Sequence, residues 1–250
     1  MKLQGATALI TGAGRRLGRA IALALAERGV DLILHMHSAS EDVVAEIEKR
    51  GGRAEIVRVD LSTAGGAETL VQEVLRRTGK VDVLVNSAAV FGANTIQTLL
   101  VAEWRKVLRV NLEAPLILAV RLGRIMHEQR GGKIIQLGDW SGQRPVRHYL
   151  PYCVTKGGVH MSTAALAKAF APHVQVNELI LGPVLPPVDY DAGSLQRLIG
   201  TTPLRRLGTP EDVLRILMFL LDEGDFVTGA SYVVDGGWLA QPPGGMETSL

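Results

Sequence analysis

The feature that most restricts this chain is an alternation. Short β-branched or leucine-rich runs, at 6–11, 30–35, 54–60, 81–86, 133–137, 174–181 and 231–234, are separated by longer stretches with a helical period. Leu17, Ile21, Ala24 and Leu25 share one face of a helix that Gly29 can terminate, and Val43, Val44 and Ile47 repeat the pattern in the next. Strands joined by helical crossovers of this length must lie parallel, and their nearly unbroken apolar character requires helices on both faces. The spacing therefore predicts one α/β domain over 1–250, a doubly wound parallel sheet of seven strands.

Composition narrows the function classes. Hydrophobic residues are 47% and charged residues 21% of 250, which is globular. The net charge is only +2 and the basic residues are scattered, so no nucleic-acid partner is expected. The lone Cys153 cannot close an intrachain disulfide, and Met1 and Lys2 run straight into a strand-like segment without an apolar leader; a cytoplasmic location is expected. The most apolar stretches, 114–120 and 216–221, are far shorter than the roughly 20 residues that span a bilayer, so no membrane partner is expected. The segment 182–202 carries three prolines and reads as a long loop or lid, and 240–250 as a tail that frays or docks on a neighbour.

Directly after the first run comes Thr11-Gly12-Ala13-Gly14-Arg15-Arg16-Leu17-Gly18, opening a helix near Arg16. Glycines let backbone N–H groups approach a pyrophosphate, and a helix N-terminus adds partial positive charge, so this turn predicts a dinucleotide site. An acid that would bond a ribose 2′-OH is missing where the second strand ends, in His35-Met36-His37-Ser38. Asp31 lies at the other end of that strand, and Glu41 and Asp42 read as first-turn helix residues. Arg15 or Arg16, with Ser38 and a histidine, can supply the donors a 2′-phosphate needs, which points to NADP(H) rather than NAD. Asp60, followed by Leu61, can cap the next helix or bond the adenine amino group, and neither role excludes the other.

Tyr152 and Lys156 are four residues apart and share one face of a helix. A nearby ammonium favours phenolate, so the spacing predicts a tyrosine whose pKa is pulled down toward neutrality. Tyr149 has Cys153, not a lysine, four positions on.

With TGAGRRLG at 11–18, Asn86-Ser87-Ala88 closing the fourth strand, Asn111 in RVNLEAP and Gly182-Pro183 after the sixth strand, this pair resembles the short-chain dehydrogenase/reductase family over residues 5–238. The resemblance implies a Rossmann-type sheet in the order 3-2-1-4-5-6-7, a small-molecule substrate and a homo-oligomer, tetramer or dimer. It also implies that Tyr152 exchanges the proton, that Lys156 holds the nicotinamide ribose, and that Asn111 orders a water in the relay.

Departures from that pattern are informative. The family's catalytic serine lies thirteen positions before the tyrosine, where this chain has Asp139. An ionised carboxylate opposes the negative charge that builds on a ketone oxygen, whereas a ring nitrogen left by C=N reduction needs a proton that a carboxyl can hold or relay. The alternative is that Asp139 caps a turn while Ser141 takes the serine's part. Arg16 in place of the second glycine, the His35/His37 pair, Asp139, and Phe91 five residues after Asn86 resemble the pteridine reductase branch. There the arginine bridges cofactor phosphate and pterin, and the phenylalanine stacks on the pterin; packing under the lid is the other role open to Phe91. Ala88-Ala89 offers no hydroxyl where that branch often has one, and Ser38 stands where an arginine is common. A carbonyl reductase and a catalytically silent NADP-binding module are the rival readings. His127, His148, His160 and His173 have no metal-ligand spacing, so no metal is expected. Trp104 reads as core or subunit packing, and Trp238 as a residue placed to close a pocket.

Overall fold

The computed structural model describes residues 1–37, 42–93, 96–186 and 190–241; Ser38, Glu41 and the tail beyond Gln241 fall outside the described residues. Seven strands form one sheet: β1 (Thr7–Thr11), β2 (Asp31–Met36), β3 (Arg53–Arg58), β4 (Val83–Asn86), β5 (Gly132–Asp139), β6 (Val174–Leu181) and β7 (Ser231–Val234). The order is β3-β2-β1-β4-β5-β6-β7, and every pairing is parallel, as the alternation and the family resemblance imply. The third strand stops at Arg58 rather than at 60, and the fifth runs on to Asp139, which puts the acid at a strand end.

The helices are α1 (Arg16–Ala26), α2 (Asp42–Lys49), α3 (Gly66–Thr78), α4 (Val101–Leu108), α5 (Ala114–Glu128), α6 (Leu150–Phe170), α7 (Ala192–Thr201) and α8 (Pro210–Asp222). Because β-strand side chains alternate, the sheet has two apolar faces. Ile10, Leu34, Val85 and Leu179 pack with Ile21 and Leu25 of α1, Ile47 of α2 and Leu217 of α8. Leu9, Ile33, Leu84, Ile134 and Val176 pack with Leu70 of α3, Leu118 and Leu122 of α5 and Leu166 of α6.

One expectation is corrected. The segment 182–202 is not only a loop: it contains α7, whose N-cap Asp191 accepts from the Ser194 N–H at 2.6 Å. The prolines at 183, 186 and 187 obscured a helix that starts after them. No helix among the described residues is long and apolar enough to cross a membrane.

The chain leaves β1 toward β2 on one side and reaches β4 on the other, so a crevice opens at the carboxyl ends of β1 and β4. Parallel α/β sheets bind their ligands at such a switch point.

Candidate functional site

The floor of the crevice is the turn between β1 and α1. Gly12 has φ +68°, and a Cβ there would stand 2.9 Å from the Ala88 Cα; a Cβ on Gly18 would stand 2.3 Å from the Gly12 carbonyl oxygen. Only hydrogen fits at either place, which presses β1, α1 and the end of β4 together. Thr11 Oγ1 accepts from the Ser87 and Ala88 N–H groups at 2.9 and 3.0 Å, so the fourth-strand end is tied to the same turn. The N-cap of α1 is the extended Arg15, which makes no side-chain cap, leaving the helix's first N–H groups turned toward the crevice beside Gly14. Arg16 has φ +52°, in the left-handed region a glycine would occupy without cost. Its guanidinium donates to the Pro186 carbonyl at 3.2 Å and also to that of Leu185, joining the phosphate turn to the lid. Leu17 is half-buried against the core.

His35 is a correction. It is 3% exposed, its Nδ1 accepts from the Gly12 N–H at 3.3 Å, and its Nε2 lies 2.9 Å from the Val59 carbonyl. Both ring nitrogens are used inside the protein, so it offers nothing to a cofactor. It clamps the glycine turn to β2 and β3, and burial pushes its pKa below the ordinary histidine value. His37 is exposed, with Nε2 3.7 Å from Asp60 Oδ2. Asp60 Oδ1 accepts from the Ser62 N–H at 2.8 Å, a turn contact that lowers the carboxyl's pKa. Leu61 is buried in the core, leaving only its backbone for a ligand. Sequence reasoning passed over Arg58, an exposed cation whose register partner Met36 precedes His37.

The second cluster lies at the ends of β4, β5 and β6. Asp139 Oδ1 accepts from the Ser141 N–H at 2.9 Å, capping a short 3-10 turn over Trp140–Gly142, while its Oδ2 accepts from the Tyr152 hydroxyl at 3.3 Å. The two roles weighed for Asp139, cap and partner of the tyrosine, are thus both present. Ser141 Oγ is buried and has no partner among the described residues. Lys156 Nζ donates to the Leu137 carbonyl at 2.7 Å and stands 5.5 Å from the Tyr152 ring centre.

The expected downward pull on Tyr152 is overturned. Burial and then the Asp139 charge push its pKa well above the ordinary value, and burial lowers that of Lys156 against the opposing pull of Asp139 and Glu178. The ammonium is aimed at a carbonyl, whereas the carboxylate touches the phenol directly, so of the two charges the carboxylate prevails and adds to the effect of burial. The phenol is held protonated.

Asn111 lies in a π turn, Arg109–Glu113, inserted between α4 and α5, the kind of irregularity that re-aims a side chain. Its amide donates to the Val90 carbonyl and accepts from the Val90 N–H, both at 2.8 Å, so the side chain fixes the loop after β4. Asn86 Nδ2 donates to Gln136 Oε1 at 3.0 Å and to the Pro115 carbonyl at 3.2 Å, and its Oδ1 has no partner among the described residues. A Cβ on Gly182 would stand 2.4 Å from the Asp235 Cα, and the Pro183 carbonyl accepts from the Gly208 N–H at 3.0 Å.

That fixed loop presents Phe91, 55% exposed, stacked on Tyr149 at 4.5 Å and edge-on to Tyr152 at 4.9 Å. Trp140 meets Trp238 at 5.5 Å, and Arg144 donates to the Trp238 carbonyl at 3.2 Å. Aromatics are 4% of the chain, so a group of three that includes Tyr152 and a pair that starts at Trp140, next to Asp139, give the site flat walls. Tyr149 and Trp140 were missed as site residues because neither has a helical partner; their signal was position, next to Leu150 and Asp139. No group of three or more potential metal ligands occurs among the described residues.

Residues 12–239 match the family model described as enoyl-(acyl carrier protein) reductase. L-rhamnose 1-dehydrogenase (NAD(P)(+)) of Sphingomonas is 32% identical over 245 residues, covering 94% of this chain and 96% of that one. The 3-oxoacyl-[acyl-carrier-protein] reductase of Synechocystis is 30% identical, covering 94% and 97%. A Beutenbergia cavernae structure, provisionally assigned as an NAD(P)-dependent gluconate 5-dehydrogenase and holding NADP at low occupancy, superposes with a TM-score of 0.90 at 34% identity, covering 96% of this chain and 99% of that one.

Proposed function

The chain belongs to the short-chain dehydrogenase/reductase family, and from that premise we propose that it is an NADPH-dependent reductase of a ring C=N bond in a flat nitrogen heterocycle of the pteridine class. The observation that carries this reading is the Tyr152 hydroxyl donating to Asp139, 3.3 Å away, beside those aromatic walls.

The residues fit the cofactor. The glycine turn and the uncapped N-terminus of α1 suit a pyrophosphate, and Arg15, Arg16, Arg58 and His37 are the cations and donors for a 2′-phosphate. Bound there, the nicotinamide supplies a hydride. Lys156, under the Tyr152 ring, is placed for its ribose, and Gly182-Pro183 closes the far side. Phe91 and Tyr149 orient a flat ring. Tyr152 is kept protonated by burial and by Asp139, so it carries the proton the nitrogen needs, while the same raised pKa opposes its release and leaves the Lys156 ammonium as the charge that must favour it. Asp139 then bonds the N–H edge of the ring, a donor that a carboxylate prefers to a ketone oxygen.

A second reading, carbonyl reduction, draws on the buried, unpartnered Ser141 hydroxyl two residues from Asp139 and on the named activity of the Synechocystis relative. NADPH consumption separates the two. Turnover of dihydrobiopterin or dihydrofolate above that of acetoacetyl thioesters and diketones is expected, and turnover of the carbonyls alone overturns the heterocycle. Tyr152→Phe is expected to lower kcat by at least a hundredfold and to leave the NADPH dissociation constant unchanged; retained turnover removes the tyrosine from the chemistry.

A further inference from the structure

Tyr152, Lys156 and His160 recur every four residues and share one stripe of α6. Beneath it, Asn86, Gln136, Glu178 and Ser231 are register partners on β4, β5, β6 and β7, so four polar side chains cross the sheet in a row. The neighbouring row on that face is Leu84, Ile134 and Val176. Asn86 donates to Gln136 at 3.0 Å, Ser231 donates to Glu178 Oε2 at 2.7 Å, and His160 Nδ1 lies 2.7 Å from the same oxygen. The Glu178 side chain is 1% accessible and that of His160 36%. Two atoms of the row, Gln136 Nε2 and Glu178 Oε1, are buried without partners among the described residues.

Oε1 lies over Gly138, where a Cβ would stand 2.1 Å from it, and the Leu137 carbonyl takes the Lys156 ammonium. Carboxylate and ammonium thus flank the Leu137–Gly138 peptide of β5. A buried carboxylate with one oxygen unpaired is costly, and glutamine would fill the same volume without the charge. We propose that Glu178 is a positioning residue for Lys156: its carboxylate, held by His160 and Ser231, supplies the buried counter-charge that keeps the ammonium charged and in place beneath Tyr152.

The charges that act on Lys156 are Asp139 from β5 and Glu178 from β6. Its neighbours along α6 are the Tyr152 phenol and the His160 imidazole, the π turn brings the neutral Asn111, and Arg121 of α5 is turned away onto Glu68. Losing Glu178's charge leaves Asp139 alone to oppose the burial of the ammonium.

The inference rests on the assignment of Tyr152 and Lys156 as the acid and its partner, so the test reads Lys156 without substrate. Protein labelled with 13Cε-lysine is titrated by NMR, with the Lys156 resonance identified by its loss in Lys156→Arg. In Glu178→Gln the midpoint is expected to fall by about one pH unit, and the alkaline limb of kcat/KM to move the same way, while Glu178→Asp stays near the wild type. If Glu178→Gln does not fold, the exchange Gln136→Glu with Glu178→Gln returns the charge to the row one strand away, and a midpoint close to the wild type is expected. An unchanged Lys156 midpoint in Glu178→Gln with only a lower Tm, or an exchange variant that folds with the midpoint still displaced, overturns the proposal and leaves a structural clamp. Failure of the catalytic assignment shows separately, as turnover surviving in Tyr152→Phe.

Discussion

The crevice has two sides built on opposite principles. On the side of β1, β2 and β3, polar groups are consumed internally: His35 spends both ring nitrogens, Thr11 accepts twice, and Asp60 accepts from the Ser62 N–H. On the side of β4, β5 and β6 lie Asn86 Oδ1, Gln136 Nε2, Ser141 Oγ and Glu178 Oε1, the buried side-chain atoms left without partners among the described residues. Buried polar groups are normally satisfied because leaving one unpaired costs about 1–3 kcal/mol. The first side is therefore a rigid backbone mould whose precision comes from closed hydrogen bonds. The second keeps polar capacity in reserve at the place where charge must move.

The largest effect on the fold itself, felt in both stability and cofactor binding, comes from Gly18→Ala. A Cβ 2.3 Å from the Gly12 carbonyl has only backbone to displace, so the mould itself must open. A rise of at least tenfold in the NADPH dissociation constant is expected, with a loss of about 1–3 kcal/mol of stability, read by fluorescence titration and urea unfolding. Tight cofactor binding in this variant would mean that the turn is softer than a mould.

On the other side a change of chemistry should matter more than a change of shape. Asp139→Ser removes the carboxylate that accepts from Tyr152 and restores the family's usual alcohol. A loss of about a hundredfold in heterocycle turnover is expected, with a gain on diketones and little change in Tm. Equal losses on both substrate classes would remove Asp139 as the selecting group.

How far each side was legible in the sequence follows from the same difference. The seven parallel strands, the glycine turn and the Tyr152–Lys156 face were readable because periodicity and spacing are local properties of the chain, whereas the strand order came only with the family resemblance. His35 was misread because its two partners, Gly12 and Val59, directly follow β1 and β3, and only pairing of β1, β2 and β3 brings them together. The direction of the Tyr152 shift was misread for a similar reason. Spacing shows that Lys156 is within reach but not that its ammonium bonds Leu137. The row from Asn86 to Ser231 was invisible, since its members lie 42 to 53 positions apart and meet only through the register of the sheet. Helix α7 was hidden by the prolines that precede it.

A pH series tests whether the first side is as closed as described. His35 is buried, and its folded pKa is lowered chiefly by that burial, against the opposing Val59 carbonyl. The folded protein binds this proton less readily than the unfolded chain does, so the contribution is neutral above the ordinary value of about 6.5 and becomes a penalty as pH falls below it, up to about 1.4 kcal/mol per pH unit. Urea midpoints measured from pH 7.5 down to 5.5 should fall in the wild type, and fall less steeply in His35→Asn. Parallel curves would place the titration elsewhere.

Arg16 is where the two sides touch, and Arg16→Gly should give the smallest change. The left-handed φ of +52° costs an arginine about 1 kcal/mol. Glycine removes that strain, but it also loosens the unfolded chain by a comparable amount, and the donations to Leu185 and Pro186 are lost. Stability should therefore stay within about 0.5 kcal/mol of the wild type. If the strained arginine is retained for an anion, the preference for NADPH over NADH should nevertheless fall by about fivefold, the exposed end of the range for a charge-assisted contact. A preference that survives intact would reduce Arg16 to a latch between turn and lid, and would move the 2′-phosphate contact to Arg15 or Arg58.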